Sequence, residues 1–275
     1  MSKAMQFKAR IKNIAKKSHV PAQAVLQNFM LERLLERISI SGYKDKFVLK
    51  GGMLIASLVG IDYRTTMDMD ATLREYPLSV KLVRQVLLDI CAIDLHDEVI
   101  FTLEHIEAIR DHDTYGGYRV ALIAQYETIR TPLKIDLTTG DMLTPDAVLY
   151  TFPSNFDEKV FEIWAYNLET ILAEKVETIL RRSVLNTRAR DFYDVYILIK
   201  SQGNALDNSL FKIALDSTMK NRASLEVLQD KPEILQAIQA DAPMLQRWER
   251  YSREYYYARK INFHEISRVL IDLLS

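Results

Sequence analysis

The chain has a single cysteine, Cys91, which excludes an internal disulfide and any cysteine-based zinc site and leaves the thiol to read as a small core residue. Its five histidines, at positions 19, 96, 105, 112 and 264, show no paired spacing such as His-x-x-x-His, so zinc is not expected. No stretch is long and apolar enough to span a bilayer, and the first twenty residues lack the apolar run of a secretory leader. Both absences point to a cytoplasmic protein without membrane attachment. No internal repeat, low-complexity segment or long linker is visible. Charge is nearly balanced, at a formal net of −1, which argues against tight sequence-independent nucleic-acid binding and for a transient substrate encounter.

What is present is an ordinary globular composition, 48% hydrophobic and 27% charged over 275 residues, enough for one large or two modest cores. The balanced charge hides an asymmetry. Lys3, Lys8, Arg10, Lys12, Lys16 and Lys17 occur between Ser2 and Val20 with no acid among them. Such a segment attracts phosphates by counterion release, and it is equally a common solubility feature.

Periodicity predicts helices over about 6–17 and 21–40, the second carrying Leu26, Phe29, Met30, Leu34, Leu35 and Ile38. A strand over Phe47–Lys50 then runs into Gly51-Gly52, and Met53 to Val59 reads as an apolar helix. Glycine lets a backbone approach a ligand closely, and the bare N–H groups of a helix start bind phosphate. Next comes Arg64-Thr-Thr-Met-Asp-Met-Asp70. In a strand alternate side chains share a face, so Thr66, Asp68, Asp70 and Thr72 point one way, with the two carboxylates about 7 Å apart. Like charges held that close call for a cation between them, and an all-oxygen carboxylate set suits Mg²⁺ or Mn²⁺. Either element alone is equally a polar strand face or a tight turn. Together they set a phosphate cradle beside a metal site.

Further along, a helix is predicted near 79–92 and strands near 98–109 and 118–128, with Gly116-Gly117, flanked by Tyr115 and Tyr118, as the hairpin turn. Pro132-Leu-Lys-Ile-Asp-Leu-Thr138 alternates again and turns Lys134, Asp136 and Thr138 to one side, making Asp136 the natural third carboxylate. The loop from Thr138 to Pro145 reads as the most flexible edge, and 160–164 as an edge strand. From Asn167 the pattern is almost wholly helical. Asn167 is the expected N-cap of a helix to Arg182 with Ile171, Leu172, Ile179 and Leu180 as its apolar stripe. Lys175 falls on that stripe, where a lysine either finds an anionic partner or extends its ammonium to water. The next helix, from about Arg188 to Lys200, carries Asp191 on a similar boundary, with Asp194 one turn on. Arg188 and Arg190 are candidates for phosphate or RNA, or simply exposed charges. Glu174, Glu177 and Arg181 read as solvated helix pairs. Asn262 resembles the cap of a last helix, and Tyr255–Tyr257 reads as a packing cluster rather than a base-stacking platform.

Four segments in this order, Leu49-Lys-Gly-Gly-Met53, Arg64-Thr-Thr-Met-Asp-Met-Asp70, Asn167 to Leu180, and Arg188-Ala-Arg-Asp-Phe-Tyr-Asp194, resemble the AbiEii-type nucleotidyltransferase toxins. That family belongs to the DNA polymerase β-like nucleotidyltransferase superfamily and provides the toxin half of abortive-infection and toxin–antitoxin pairs, an antiviral defence. Met53 stands where threonine or alanine is also common. The resemblance covers nearly the whole chain and implies an α/β fold: a nucleotidyltransferase mixed sheet with flanking helices over residues 1–165, then a mostly helical domain over 166–275 that completes the active-site cleft. It also implies a site. Asp68, Asp70 and Asp136 would bind Mg²⁺ or Mn²⁺, with Asp136 as ligand or general base. Lys50, Gly51, Gly52, Arg64, Thr66, Lys175 and Arg188 would bind the nucleoside triphosphate, and Lys175 and Asp191 would complete the catalytic set.

The implied reaction is attack of a hydroxyl on the α-phosphate with loss of pyrophosphate, a chemistry of positioning and charge neutralisation. The implied acceptor is the 3′ end of tRNA or another RNA, and the genetic partner an antitoxin, often a winged-helix repressor. Two alternatives stand beside this. One is nucleotide transfer onto a protein hydroxyl, Thr66 of the chain itself included. The other is a catalytically silent nucleotide- or RNA-binding regulator, whose mark would be a lost carboxylate or lysine, whereas all five such residues are present.

Overall fold

The computed structural model describes residues 2–74, 79–109 and 116–275. These fall into two compact units, one of residues 1–141 and 148–165, the other of 142–147 and 166–275. The turn expected at Gly116-Gly117 lies in part outside the described residues, as do Tyr115 and His112.

The first unit is α/β. In chain order it holds α1 (Lys3–Ser18), α2 (Ala22–Ile40), β1 (Phe47–Lys50), α3 (Gly51–Val59), β2 (Asp68–Leu73), α4 (Val80–Cys91), β3 (Val99–Ile109), β4 (Gly117–Tyr126), β5 (Ile129–Thr138), β6 (Val148–Pro153) and β7 (Val160–Ala165). The strands form one mixed seven-stranded sheet in the order β3-β4-β5-β2-β1-β7-β6. β2 is antiparallel to β1 and parallel to β5, while β1 is parallel to β7. The strand at 160–164 is therefore interior rather than an edge. β6 covers it, and is hard to read from sequence because it is mostly exposed and shows no clean alternation of apolar and polar residues.

Both N-terminal helices start and stop for local reasons. Ser2 caps α1 by accepting from the Met5 amide, and Ala4, Phe7, Ile11 and Ala15 bury its apolar stripe while its lysines stay exposed. α2 is buried nearly all round. Val25, Met30, Leu31, Leu34, Leu35 and Ile38 are almost fully covered, each contributing about 1.5–3 kcal/mol by leaving water. The same helix brings charge inside. Arg37 makes a bidentate pair with Asp97, at 2.8 and 2.9 Å, and donates to the carbonyls of Ile93, Val99 and Arg33. Glu32 accepts from the Ser154 hydroxyl and from the amide and side chain of Asn155, which clamps the β6–β7 turn onto α2.

The second unit is helical: α5 (Leu168–Arg182), α6 (Ala189–Gln202), α7 (Asn208–Asn221), α8 (Lys231–Ala240), α9 (Ala242–Glu254) and α10 (Phe263–Leu273). Asn167, Asp207, Asp241 and Asn262 cap α5, α7, α9 and α10 through their side-chain oxygens. Glu177 departs from expectation. It is fully buried rather than solvated, and binds Arg181, Arg222 and the Ser224 hydroxyl, so it ties α5 to the end of α7. Tyr255 and Tyr257 pack with Tyr251 and Tyr193, with ring centroids 4.6 Å apart for Tyr251–Tyr255 and 4.9 Å for Tyr193–Tyr257. No described helix is long and apolar enough to cross a membrane.

Burial is the leading cause that pushes the Glu32 carboxyl up to about 7, from an ordinary value of 4.5. A raised folded-state value means the fold favours the protonated acid. Its contribution is complete below about 4.5 and is lost as pH rises through about 7. The Glu32→Gln variant removes the titration. Urea unfolding of both proteins at pH 4.5 and pH 8 is expected to show wild type losing on the order of 3 kcal/mol relative to the variant over that interval.

Candidate active site

The sheet register builds the acidic face. Lys50 on β1 lies opposite Asp70 on β2, and Asp70 lies opposite Asp136 on β5. Directly paired residues project to the same face, so these three share it with Asp68, Thr72, Lys134 and Thr138. Met69, Ala71, Ile135 and Leu137 fill the other face, where all four are buried. The alternation expected from the sequence therefore holds from Asp68 onward. Thr66 lies just before β2, and its hydroxyl donates to the Asp68 carbonyl at 3.1 Å.

The diglycine belongs to the first turn of α3, not to a loop before it. Gly51 has φ of +67°, a conformation glycine adopts without the penalty a side chain brings, and a Cβ there would come within 2.8 Å of Asp70 Cγ. A Cβ on Gly52 would lie 2.8 Å from the Thr66 hydroxyl and 3.1 Å from Arg64 Nη2. Both glycines are thus required by close approach of side chains from β2 and the segment before it to the helix start. Arg64 is buried beneath this turn and donates to the Thr65 carbonyl, so it braces the segment from inside.

Lys50 faces inward. Its ammonium donates to Thr138 at 2.7 Å and pairs with Asp141 at 2.5 Å, and Asp141 also accepts from Thr138 and Thr72. The Lys50 ammonium beside it outweighs burial and holds the Asp141 carboxyl down to about 2. The stretch from Thr138 to Pro145, expected as a flexible edge, is pinned in both units. Asp141 is fixed in the first, and in the second Thr144 accepts from Asn167 through its carbonyl and donates its amide to Thr170. Asp141 was missed because its partner sits 91 residues away in sequence.

The three carboxylates expected to gather round a cation are not equivalent. Asp68 is 34% exposed and its nearest cation is Lys134, at 3.8 Å. Asp136 is 19% exposed, and both its oxygens accept from one guanidinium, Arg119 Nε at 2.9 Å and Nη2 at 2.8 Å. Among the described residues no group of three His, Cys, Asp or Glu side chains gathers as a metal site. Asp68 and Asp70 fit a hard divalent cation: two carboxylates on one strand face, one of them against a cradle that a Cβ would fill. Arg119 escaped the sequence reading, since only the β4–β5 register shows that it stands opposite Asp136.

In the second unit Lys175 has carboxylate partners, Asp191 at 2.8 Å and Asp194 at 2.9 Å. Asp194 is fully covered, and the buried Oδ2 of Asp191 has no hydrogen-bond partner among the described residues. Arg188 stands exposed at the start of α6, its amide bonded to Asn186. Burial, then the neighbouring Arg188 and Arg181, lower the Arg182 pKa, which marks a local concentration of positive charge.

This sheet, with paired carboxylates beside a glycine-started helix, is the nucleotidyltransferase fold. Two solved Helicobacter pylori structures share it. A candidate nucleotidyltransferase is 16% identical, with a TM-score of 0.50, covering 92% of this chain and 93% of its own. The protein JHP933 is 17% identical, with a TM-score of 0.50, covering 92% and 90%. No curated protein matches the chain. The sequence pattern of the nucleotidyl transferase AbiEii toxin, of the type IV toxin–antitoxin systems, matches residues 33–268, and the chain belongs to that family. It is a nucleotidyltransferase of the toxin class, and membership implies a nucleoside triphosphate substrate and a cognate antitoxin.

Two substitutions test the local architecture. Gly51→Ala is expected to lose about 1–3 kcal/mol of stability, from backbone strain and the collision with Asp70. Asp141→Asn removes the carboxylate charge beside the buried Lys50 ammonium and is expected to cost about 3–5 kcal/mol. Because the Asp141 value is depressed, its contribution is present above about 3.8 and falls away as pH drops toward about 2. Urea unfolding at pH 7 and pH 3 measures both effects.

Proposed function

We propose that the protein is a metal-dependent nucleotidyltransferase toxin. It transfers a nucleoside monophosphate from a nucleoside triphosphate to a hydroxyl at the 3′ end of tRNA or another RNA, in the cytoplasm where both substrates reside. The observation that carries the reading is the pair Asp68 and Asp70, projecting from one strand face beside the α3 start at Gly51-Gly52. Asp68 and Asp70 would hold Mg²⁺ or Mn²⁺. When bound, the ion neutralises phosphate charge and polarises the reacting oxygens. The α3 amides at Gly51 and Gly52 face phosphate oxygens as N–H donors, and a helix start favours that negative charge. The acceptor oxygen bonds to the α-phosphorus, the bond to the β-phosphate oxygen breaks, pyrophosphate leaves, and the hydroxyl proton passes to solvent.

Lys50, Arg64 and Thr66 act one layer behind this chemistry, fixing β2 and the α3 start. Lys175 and Arg188 are the phosphate contacts proposed for the second unit. Asp191, with a buried oxygen that nothing bonds, orients the Lys175 ammonium with Asp194. The basic face of α1 attracts the RNA backbone. The antitoxin partner is proposed to be a winged-helix repressor of the toxin's own expression, and the toxin's role to be abortive defence against phage.

The test is transfer of label from each of the four α-³²P nucleotides into purified tRNA and, separately, into lysate protein, for wild type and Asp68→Asn. Label in tRNA that falls at least about 100-fold in the variant is expected, since removing a metal ligand from a phosphoryl-transfer site abolishes most of the rate. Label confined to protein would move the acceptor to a polypeptide. Equal label from wild type and variant would remove Asp68 from the site.

A further inference from the structure

Three carboxylates and two exposed cations lie on the same face of the β4-β5-β2 region, and they are not paired alike. The Asp68–Lys134 contact is single, long at 3.8 Å and open to solvent, so an incoming divalent cation displaces Lys134 at little cost. The Asp136–Arg119 contact is a two-point fork at 2.8 and 2.9 Å. A bidentate guanidinium–carboxylate pair is directional and charge-assisted, and it takes up one lone pair on each oxygen and offsets the charge, which makes Asp136 a poorer metal ligand than the loosely paired Asp68. Asp136 therefore favours Arg119 over a divalent metal ion.

The fork also fixes where Arg119 can act. Nε and Nη2 turn toward Asp136, so Nη1 of the same plane lies outside the fork, and Arg119 stands on the face that carries Asp68 and Asp70 with Glu107 of β3 paired opposite it. Asp136 stands one strand from Asp70, about 4.8 Å in the pairing direction, and Arg119 one strand further. A triphosphate bound at Asp68 and Asp70 through a cation extends over that distance. Of the other cations of this face, Lys50 is directed inward to Asp141 and Lys134 is a single flexible ammonium beside Asp68. Arg119 offers a guanidinium of fixed plane whose Nη1 lies outside the fork, a group suited to phosphate oxygens.

We infer that Arg119 binds the triphosphate of the nucleotide substrate, and that Asp136 is the positioning residue that holds Arg119 in place instead of a metal ligand. The inference rests on the reading of Asp68 and Asp70 as the cation site, and it adds a substrate contact from β4 that the sequence motifs do not contain. It also removes Asp136 from the metal-binding set.

The experiment uses the full chain and two probes that need neither base nor acceptor identity. Mn²⁺ alone is titrated by electron paramagnetic resonance, and inorganic tripolyphosphate is titrated calorimetrically with Mn²⁺ saturating. Wild type, Asp68→Asn, Asp136→Asn, Arg119→Gln and Arg119→Lys are compared after circular dichroism shows that each is folded. Asp136→Asn and both Arg119 variants are expected to bind Mn²⁺ within about threefold of wild type. Tripolyphosphate affinity is expected to fall about tenfold in Arg119→Gln, and severalfold in Arg119→Lys and Asp136→Asn, where charge remains but the fork is lost. Loss of Mn²⁺ binding in Asp136→Asn would overturn the inference by making Asp136 a ligand. Unchanged tripolyphosphate affinity in Arg119→Gln would overturn it too. Asp68→Asn is the separate control. Its failure to weaken Mn²⁺ would sink the cation site itself and leave the Arg119 result to be read alone.

Discussion

Negative charge crowded onto one face of a sheet is the constraint from which the first unit is built. Asp68, Asp70, Asp136 and Asp141 all lie toward that face, and no protein tolerates such a group without compensation. The compensation is graded. Asp141 receives a buried ammonium and two hydroxyls, Asp136 a bidentate guanidinium, Asp68 a distant lysine, and Asp70 lies against a backbone turn that only glycine can make. The tightest pairs hold the sheet together, and Asp68 is held only loosely. A sheet that solved this problem uniformly would have no chemistry left in it.

The second unit repeats the logic with helices. Glu177 is buried but answered by two arginines and a serine hydroxyl, whereas Asp191 keeps one oxygen unanswered beside Lys175. A buried oxygen without a donor costs on the order of 1–3 kcal/mol. Retaining it where every neighbouring acid is satisfied distinguishes the Lys175 cluster from a purely cohesive ion pair.

Sequence periodicity revealed what depends on near neighbours. The alternation of Asp68 and Asp70, the Asn167 and Asn262 caps, the helical second half and the glycine pair were all visible because each is local. What stayed hidden was set by register between distant strands. Nothing near Arg119 names Asp136 as its partner, nothing near Lys50 names Asp141, and the interior place of β7 follows only from the pairing of β6. Glu177 misled for the opposite reason. Its helical spacing to Arg181 suggested a solvated pair, and the arginine does sit there, but the residues that enclose it come from beyond α7.

The parallel pairing of β2 with β5 has a consequence in time. Asp70 gains its neighbour Asp136 only when a segment more than sixty residues downstream has been made and docked, and β1 meets its partner β7 later still. During translation at about 5–20 residues per second, the growing chain passes several seconds with the Asp68 and Asp70 strand already exposed and its sheet unfinished. The acidic face is thus a late product of synthesis. It belongs to the assembled sheet rather than to any peptide within it.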